Sequence, residues 1–140
     1  MLGVDYGERR IGIALSEGRV AVPLAIIEHR DRNSDLERVA DSARAHDVDR
    51  VVVGLPLLMS GEEGEQVRRT RRFGDALARR IDVPVVYHDE RLSSYSAERA
   101  TRDAPSKGAP RHVDDVAASM ILQSYIDGVF ASVTTEDDAR

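Results

Sequence analysis

The chain has 140 residues, no cysteine and a formal net charge of −5. A chain of this length forms one domain with a hydrophobic core, and 41% hydrophobic with 32% charged residues excludes a largely disordered protein. The lack of cysteine excludes a disulfide framework and a thiolate metal site, and it favours a cytoplasmic location. The first residues read as a strand rather than a signal peptide, and the longest apolar run, 51–59, is too short for a bilayer. We therefore expect neither secretion nor a membrane partner.

The first predicted strand, residues 2–6, alternates large apolar side chains with Gly3 and Asp5. Successive residues of a strand point to opposite faces, so the Asp5 carboxylate faces away from the apolar side chains. A carboxylate within a strand is costly unless it is hydrogen-bonded, paired or bound to a cation, and the neighbouring glycines leave room for a ligand. Asp5 is therefore a candidate site residue, with capping of the turn at Gly7 as the alternative.

Two further strands and a helix are predicted next. Patterns typical of strands cover residues 10–16 and 20–28, and Pro23 lies where an edge or a bulge accepts proline. Ser34 and Glu37 predict a capping box that begins a helix ending near residue 46. The three strands thus predict an antiparallel meander.

Helices and strands then alternate. Residues 51–54 are a β-branched run typical of a central strand, and residues 62–81 predict an amphipathic helix with a basic side. The remaining predicted elements are a strand over 83–89, a helix from the serines after Glu90 to about residue 102, a loop over 103–111, and an apolar, buried helix over 113–130. This order predicts an α/β fold with a mixed five-stranded sheet, a three-strand antiparallel meander plus parallel strands, and helices on both faces. We expect one domain over residues 1–131 and a disordered acidic tail over 132–140.

Three acidic positions lie at the ends of predicted elements: Asp5, Glu90, and either Asp114 or Asp115 in the first turn of the last helix. Adjacent central strands would bring Asp5 and Glu90 together, and a helix docked at the strand ends would add the third carboxylate. Oxygen ligands suit Mg²⁺ or Mn²⁺, and two such ions about 4 Å apart activate water and stabilise the leaving oxygen in phosphodiester cleavage. The alternative for Glu90 is a surface ion pair. The alternative for Asp114 and Asp115 is a favourable interaction with the helix dipole in the first turn.

Histidines and arginines provide weaker indications. His88 and His112 are candidate ligands or bases, with a structural role as the alternative. Arg68, Arg72 and Arg79 line the basic side of helix 62–81, which predicts contact with nucleic-acid phosphates, with a solvated surface as the alternative.

Four motifs follow one another along nearly the whole chain. They are Gly3-x-Asp5-x-Gly7-x-x-Arg10-Ile11-Gly12-x-Ala14, Val53-Gly54-Leu55-Pro56 with Met59 and Gly61, Asp89-Glu90-Arg91-Leu92-Ser93-Ser94, and Val113-Asp114 with Ala117-Ala118 and Ile121-Leu122. Together, in this order, they resemble the YqgF/RuvX family of Holliday-junction-resolvase-like or pre-16S rRNA nucleases. The resemblance implies an RNase H-like fold, in agreement with the predicted order of strands and helices.

The resemblance also implies roles for individual residues. It implies that Asp5, Glu90 and Asp114 are metal-binding catalytic acids, with Asp5 touching both ions, and it favours Asp114 over Asp115. The predicted substrate-binding residues are Arg10, Arg91, Ser93, Ser94, Arg68 and Arg72. The chain departs from the family pattern at Leu58, where asparagine is common, and in the short, lysine-poor stretch 107–111. Those departures concern the grip on substrate rather than the acids.

The residues and the resemblance together predict a hydrolase, a two-metal nuclease that leaves 5′-phosphate and 3′-hydroxyl ends. The predicted substrates are the 5′ end of pre-16S rRNA, Holliday junctions and other branched nucleic acid, or single strands, with pre-ribosomal particles as partners of a monomer or homodimer. A noncatalytic scaffold that binds RNA or ribosome-assembly factors is the main alternative. The G-x-D-x-G sequence also occurs in actin-like ATPases and sugar kinases, but the second phosphate loop and second lobe of those proteins do not fit in this chain.

Overall fold

The computed structural model describes the backbone of residues 1–92 and 113–138 and the side chains of residues 1–92 and 116–131. In chain order, the elements within these ranges are β1 (Leu2–Tyr6), β2 (Arg10–Glu17), β3 (Val20–Glu28), α1 (Arg32–Ala45), β4 (Val51–Leu55), α2 (Glu65–Ala78), β5 (Val85–Asp89), a 3₁₀ turn (Glu90–Leu92) and α3 (Val113–Asp138). The helix predicted to end near residue 102 and the loop predicted over 103–111 lie outside the described residues.

The five strands form one sheet in the order β3-β2-β1-β4-β5. Strands β1, β2 and β3 pair antiparallel, whereas β4 lies parallel to β1 on one side and to β5 on the other. This arrangement confirms the predicted mixed sheet with its meander. One detail of the prediction was wrong: β1 and β5 are not adjacent, because β4 lies between them.

The helices cover both faces of the sheet, as predicted. On one face, Leu2 and Val4 of β1 pack with Leu36 of α1 and with Phe73 and Leu77 of α2. On the other face, α3 packs on the sheet through a second cluster of buried residues: Ala14, Val52, Ala118, Ile121, Leu122 and Ile126. Burying a large aliphatic side chain contributes roughly 1.5–3 kcal/mol, so these two clusters fix both helix layers against the sheet.

Helix α1 begins earlier than the capping-box pattern predicts. Its N-cap is Asp31, whose carboxylate accepts hydrogen bonds from the Ser34 amide at 2.8 Å and from the Ser34 hydroxyl at 2.9 Å. Ser34 therefore lies within the first turn rather than at the cap. Aspartate and serine are both good caps, and here the Asp31 side chain accepts from the first turn of the helix.

Strand β3 accepts its proline in the predicted way. It lies at the edge of the sheet, and its register with β2 shifts so that Ile13 pairs with Ala25 and Ala14 with Pro23. Proline cannot donate a ladder hydrogen bond, and an edge position at an irregularity removes that requirement.

Helix α3 extends beyond the predicted end near residue 130, through Ser132 and as far as Asp138. The disordered tail was expected to begin at Ser132, but each residue added to an existing helix gains one hydrogen bond, so a helix propagates readily past its buried part. In the described ranges, no helix is both long and apolar enough to cross a membrane.

Candidate active site

Asp5 lies on the face of the sheet that α3 covers. A Cβ added to Gly3 would lie 2.8 Å from Leu122 Cβ and 3.0 Å from the Ala118 carbonyl oxygen, so Gly3 faces α3 closely. Asp5 is two residues further along β1 and therefore shares this face, whereas Val4 belongs to the opposite core. The half-buried Asp5 residue thus lies on the α3 side of the sheet, near the carboxyl end of β1.

Glu90 reaches the same face from a different strand. Its side chain is 7% exposed, and its Oε1 atom would lie 2.9 Å from a Cβ added to Gly54. The same added Cβ would lie 2.7 Å from Ile121 Cδ1, so Gly54 also faces α3. The Glu90 carboxylate therefore lies over β4, in space that any other residue at position 54 would fill.

The register of the sheet brings these acids to one level. Val4 pairs with Val53 in the parallel ladder, so Gly54 is the next residue beside Asp5. Asp5 and Glu90 thus approach one surface from β1 and from the end of β5, across a strand that has no side chain there. The structure brings these two predicted acids to one end of the sheet, although their strands are not adjacent.

The first turn of α3 lies at this end as well. Tyr125, further along the helix, accepts a 2.6 Å hydrogen bond from Arg50, which precedes β4, so α3 runs antiparallel to β1 and β4. The backbone of Asp114 and Asp115 lies in the first turn of α3, about one turn before Ala118. Their side chains lie outside the described residues, so the choice of Asp114 stays a prediction.

The turn that carries Glu90 is tied to α3. Ser124 donates from its hydroxyl to the Leu92 carbonyl at 3.2 Å, and its oxygen lies 2.9 Å from His88 Nε2. Burial lowers the pKa of His88, with the nearby Asp89 carboxylate opposing that shift, and its ring meets Tyr125 edge-on at 5.8 Å. These contacts indicate that His88 helps to position the Glu90 turn. His112 lies outside the described residues.

Arg91 holds the loop after β4. Its Nε and Nη2 atoms donate to the Asp89 carboxylate at 3.0 and 2.7 Å, and its Nη1 atom lies 3.4 Å from the carbonyl oxygens of Leu58 and Met59. The hydrogen bonds from Arg91 hold the pKa of the Asp89 carboxyl below its ordinary value. Its direct contact with substrate stays a prediction, and Ser93 and Ser94 lie outside the described residues.

Arg68 and Arg72 lie apart from the acids, whereas Arg10 does not. Gly12 of β2 pairs with Asp5, so Arg10, two residues before Gly12, shares the face of Asp5, and its Nε atom lies 3.9 Å from the Glu28 carboxylate on β3. Arg68 donates to Glu65 at 3.1 Å on α2, and Arg72 lies 3.6 Å from the same carboxylate. Arg68 and Arg72 lie on the helix layer of the opposite face, so the structure does not bring them together with Asp5 and Glu90.

A buried ionic network on that opposite face was missed by the sequence reasoning. Asp35 is 4% exposed and accepts hydrogen bonds from Arg38 at 2.5 Å, from the Arg30 amide at 3.1 Å and from His29 Nδ1 at 2.8 Å. His29 Nε2 donates to the Gly7 carbonyl at 2.9 Å, so both ring nitrogens face acceptors. His29, Asp35 and Arg38 lie close together in the sequence around the start of α1. The capping box predicted a helix start there, but it did not indicate that Asp35 would be buried.

The ionisation of Asp35 follows from its donors. Burial opposes the charge, but the hydrogen bonds from His29, the Arg30 amide and Arg38 outweigh it and hold the pKa of the carboxyl below its ordinary value. The network therefore fixes the Gly7 turn, two residues after Asp5, to the start of α1.

The donor set near Asp5 suits a divalent cation. No group of three aspartate, glutamate or histidine side chains suited to a metal occurs in the described part of the chain, where Asp5 and Glu90 supply two acids. Both are hard oxygen donors of the kind that Mg²⁺ and Mn²⁺ prefer, and the glycine at position 54 leaves room for the Glu90 carboxylate over β4 beside Asp5. The residues present therefore fit a divalent metal, with a third ligand expected from the first turn of α3.

Comparison with known proteins identifies relatives over nearly the whole chain. The family model described as "RuvX: Holliday junction resolvase" matches residues 1–128. A protein of Chloroflexus aggregans named "Putative pre-16S rRNA nuclease" is 46% identical over 131 residues, covering 91% of this chain and 92% of the relative. A protein of the same name from Anaeromyxobacter sp. is 44% identical, with 91% and 96% covered.

Solved structures share the fold at low sequence identity. RuvC of Thermus thermophilus in complex with a Holliday junction superposes with a TM-score of 0.56 at 16% identity, covering 89% of this chain and 92% of that one. The fowlpox virus Holliday junction resolvase gives a TM-score of 0.51 at 16% identity, with 91% and 97% covered. These neighbours confirm the RNase H-like fold expected from the order of strands and helices.

Proposed function

This chain belongs to the RuvX family, and we propose that it is a nuclease that hydrolyses phosphodiester bonds with the help of divalent metal ions. The observation that carries the proposal is the Glu90 carboxylate over Gly54, on the face and at the end of the sheet where Asp5 lies. A buried acid placed over a glycine beside a second acid is an arrangement for holding a ligand rather than for packing.

Each acid has a proposed role in binding the metal ions. Asp5, Glu90 and, by resemblance, Asp114 would hold Mg²⁺ or Mn²⁺, two ions in the full proposal. Bound there, the metal would supply a nucleophilic water at neutral pH and stabilise charge on the leaving oxygen. Asp5 is placed by a central strand, and Glu90 by a turn that Ser124 ties to α3. Rigid elements position both acids, which is what in-line attack on a phosphodiester needs.

The proposed substrates are taken from the names of the relatives and of the family model. We propose that the chain matures the 5′ end of pre-16S rRNA in the cytoplasm, in contact with pre-ribosomal particles, because the relatives at 46% and 44% identity are named for that RNA. Cleavage of Holliday junctions is the second candidate, because the matching family model carries that description. A junction resolvase needs two sites related by symmetry, so this candidate also requires a homodimer.

A cleavage panel tests the proposal. Wild type, Asp5→Asn and Asp41→Asn would each be incubated with single-stranded RNA, single-stranded DNA, duplex and a four-way junction, with Mg²⁺, with Mn²⁺ and with EDTA. We expect metal-dependent cutting by wild type and by Asp41→Asn, whose carboxylate is exposed on α1. Asp5→Asn should lose on the order of a thousandfold or more, because an amide cannot replace the anionic ligand. Cleavage by Asp5→Asn at the wild-type rate would refute the site, and the preferred substrate separates the two candidates.

Metal binding without cleavage is measured separately. A divalent ion that binds only the folded chain stabilises it by about 1.4 kcal/mol at ten times its dissociation constant. We expect Mn²⁺ to raise the melting temperature of wild type and to raise that of Asp5→Asn much less. If Mn²⁺ causes no shift and no substrate is cut, while RNA is still bound, the noncatalytic scaffold replaces the nuclease.

A further inference from the structure

A second polar site lies at the same end of the sheet, on the face opposite Asp5. It is a cavity of about 320 Å³ between the Gly7 turn, the start of α1 and the first half of α2. Arg30 and Arg32 line it from the α1 side, and Arg69 and Arg72 line it from α2. This volume is at the small end of the roughly 300–1,000 Å³ typical of ligand pockets.

The arginines of this cavity keep donors to offer. Within residues 1–92 and 116–131, the side chains of Arg30 and Arg69 make no hydrogen bond or ion pair. Arg32 donates once, to the Arg72 carbonyl at 3.3 Å, and the guanidinium of Arg72 lies 3.6 Å from Glu65 with a side chain that is 56% exposed. A guanidinium has five donors, so each of these side chains can bind an external anion.

The carboxylates of the cavity do not neutralise these arginines. Asp31 accepts from the amide and the hydroxyl of Ser34 at the start of α1. Asp35 accepts from Arg38, which lies outside the cavity lining, from the Arg30 amide and from His29. Glu8 is the third acid against four arginines. Four arginines thus outnumber three acids in the cavity lining, and protein groups already hydrogen-bond two of those acids, Asp31 and Asp35.

One wall of the cavity is held rigid. Tyr6 stacks on Phe73 with ring centroids 4.3 Å apart and meets His29 edge-on at 5.2 Å. Gln66 donates to the Tyr6 carbonyl at 2.9 Å, and the His29 ring holds the Gly7 carbonyl. A wall fixed before binding lowers the entropic cost of taking up a ligand.

We propose that this arginine cavity binds a phosphate group of the nucleic-acid strand that the acids cut. This inference rests on the proposed nuclease function. Asp5 and Tyr6 are consecutive residues of β1, so their side chains point to opposite faces of the sheet from neighbouring Cα atoms. A strand that crosses the Gly7 turn brings one phosphate to the acids and a nearby phosphate to the cavity. Planar guanidinium groups recognise phosphate through paired hydrogen bonds, which fits a cavity lined by arginines.

Binding measured without metal tests the cavity separately from cleavage. A fluorescent single-stranded oligonucleotide, with and without a 5′-phosphate, would be titrated by anisotropy in EDTA over a range of salt concentrations. We expect Arg69→Ala to weaken binding about tenfold and to lower the slope of log K against log salt by about 0.7. The matched control is Arg44→Ala, a half-exposed arginine of α1 that pairs with Asp41 outside the cavity, which should bind as wild type does.

The outcomes separate the sources of the phosphate and the two proposals. Weakening of both oligonucleotides assigns an internal phosphodiester to the cavity, and weakening of the 5′-phosphorylated one alone assigns a terminal phosphate; inorganic phosphate should compete in the second case only. Wild-type binding by Arg69→Ala, or equal losses in Arg69→Ala and Arg44→Ala, would overturn the cavity. Hydrolysis of bis(p-nitrophenyl) phosphate, too small to span both sites, should be retained by Arg69→Ala. If wild type does not hydrolyse it and Arg69 still controls binding, the nuclease proposal fails and the cavity stands.

Discussion

At the carboxyl end of β1, the face of the sheet under α3 has carboxylates, whereas the face under α1 and α2 has arginines. Asp5 and Glu90 belong to the first face, and Arg69 and Arg72 to the second. The two regions begin at consecutive residues of one strand, Asp5 and Tyr6. Because side chains alternate across a strand, a single strand end presents groups for a cation on one face and groups for an anion on the other.

The buried carboxylates of the two faces differ in what surrounds them. Asp35 and Glu90 are 4% and 7% exposed. The oxygens of Asp35 accept from three donors of the protein, including Arg38, whereas the Glu90 carboxylate extends over a glycine into space that one Cβ would fill. The comparison teaches that burial alone does not identify a functional acid. The donors around Asp35 tie it into the fold, whereas Glu90 lies over a glycine beside a second acid, Asp5.

The largest expected effect is on the stability of the arginine face. Asp35→Asn leaves Arg38 and His29 without their buried anion, so we expect the free energy of unfolding to fall by about 3 kcal/mol. Asp41→Asn is the matched control on the same helix, because Asp41 also pairs with an arginine three residues later but is 70% exposed. That change should cost less than about 1 kcal/mol. Urea unfolding measures both, and equal losses would contradict the distinction between the two pairs.

The pH dependence of stability sharpens the same comparison. The pKa of Asp35 is lowered in the folded chain, so the unfolded chain binds more protons and stability rises with pH. The contribution of Asp35 is complete above its unfolded pKa of about 3.9 and is lost as pH falls through the lower folded pKa. The stability difference between wild type and Asp35→Asn should therefore shrink as pH falls below about 4. A difference that grows on acidification would mean that Asp35 is protonated in the folded protein.

The next effect breaks the acid face. Gly54→Ala places a Cβ against the Glu90 carboxylate and Ile121, so Glu90 must move. We expect cleavage to fall about a hundredfold, since a displacement of about 1 Å in a catalytic group has that cost. Gly128→Ala on α3 is the control, because a Cβ there meets nothing within 4 Å, and it should keep activity and slightly raise stability. Full activity of Gly54→Ala would show that the position of Glu90 over β4 is not needed.

The smallest effect concerns the tie between the Glu90 turn and α3. Ser124→Ala removes the hydrogen bonds to Leu92 and His88, so we expect a loss of about 1 kcal/mol in stability and a few-fold loss in cleavage. Ser119→Ala is the control on the same helix, because its hydroxyl donates only to the Val116 carbonyl of α3 among the described contacts. Thermal unfolding and cleavage rates measure both variants. Identical behaviour of the two would remove Ser124 from the support of Glu90.

The acids could be proposed from the sequence because each one breaks a local pattern. Asp5 interrupts an apolar strand, and Glu90 directly follows one. Asp35 follows the expected pattern of a helix start, and for that reason its burial and its bond to His29 were not foreseen. The choice between Asp114 and Asp115 came from the family resemblance, because two consecutive residues in the first turn of a helix are equally favoured by its dipole.

Local patterns in the sequence specify the type and order of the strands and helices, because hydrophobic periodicity is a property of neighbouring residues. Alternation along residues 2–6 indicates a strand, and helical spacing along residues 65–78 indicates an amphipathic helix. Only the tertiary structure decided that β4 lies between the strands that lead to Asp5 and Glu90, that Gly54 provides the space over it, and that arginines from α1 and α2 meet at one cavity. The order of strands and the approach of distant side chains depend on long-range packing, which no local pattern records.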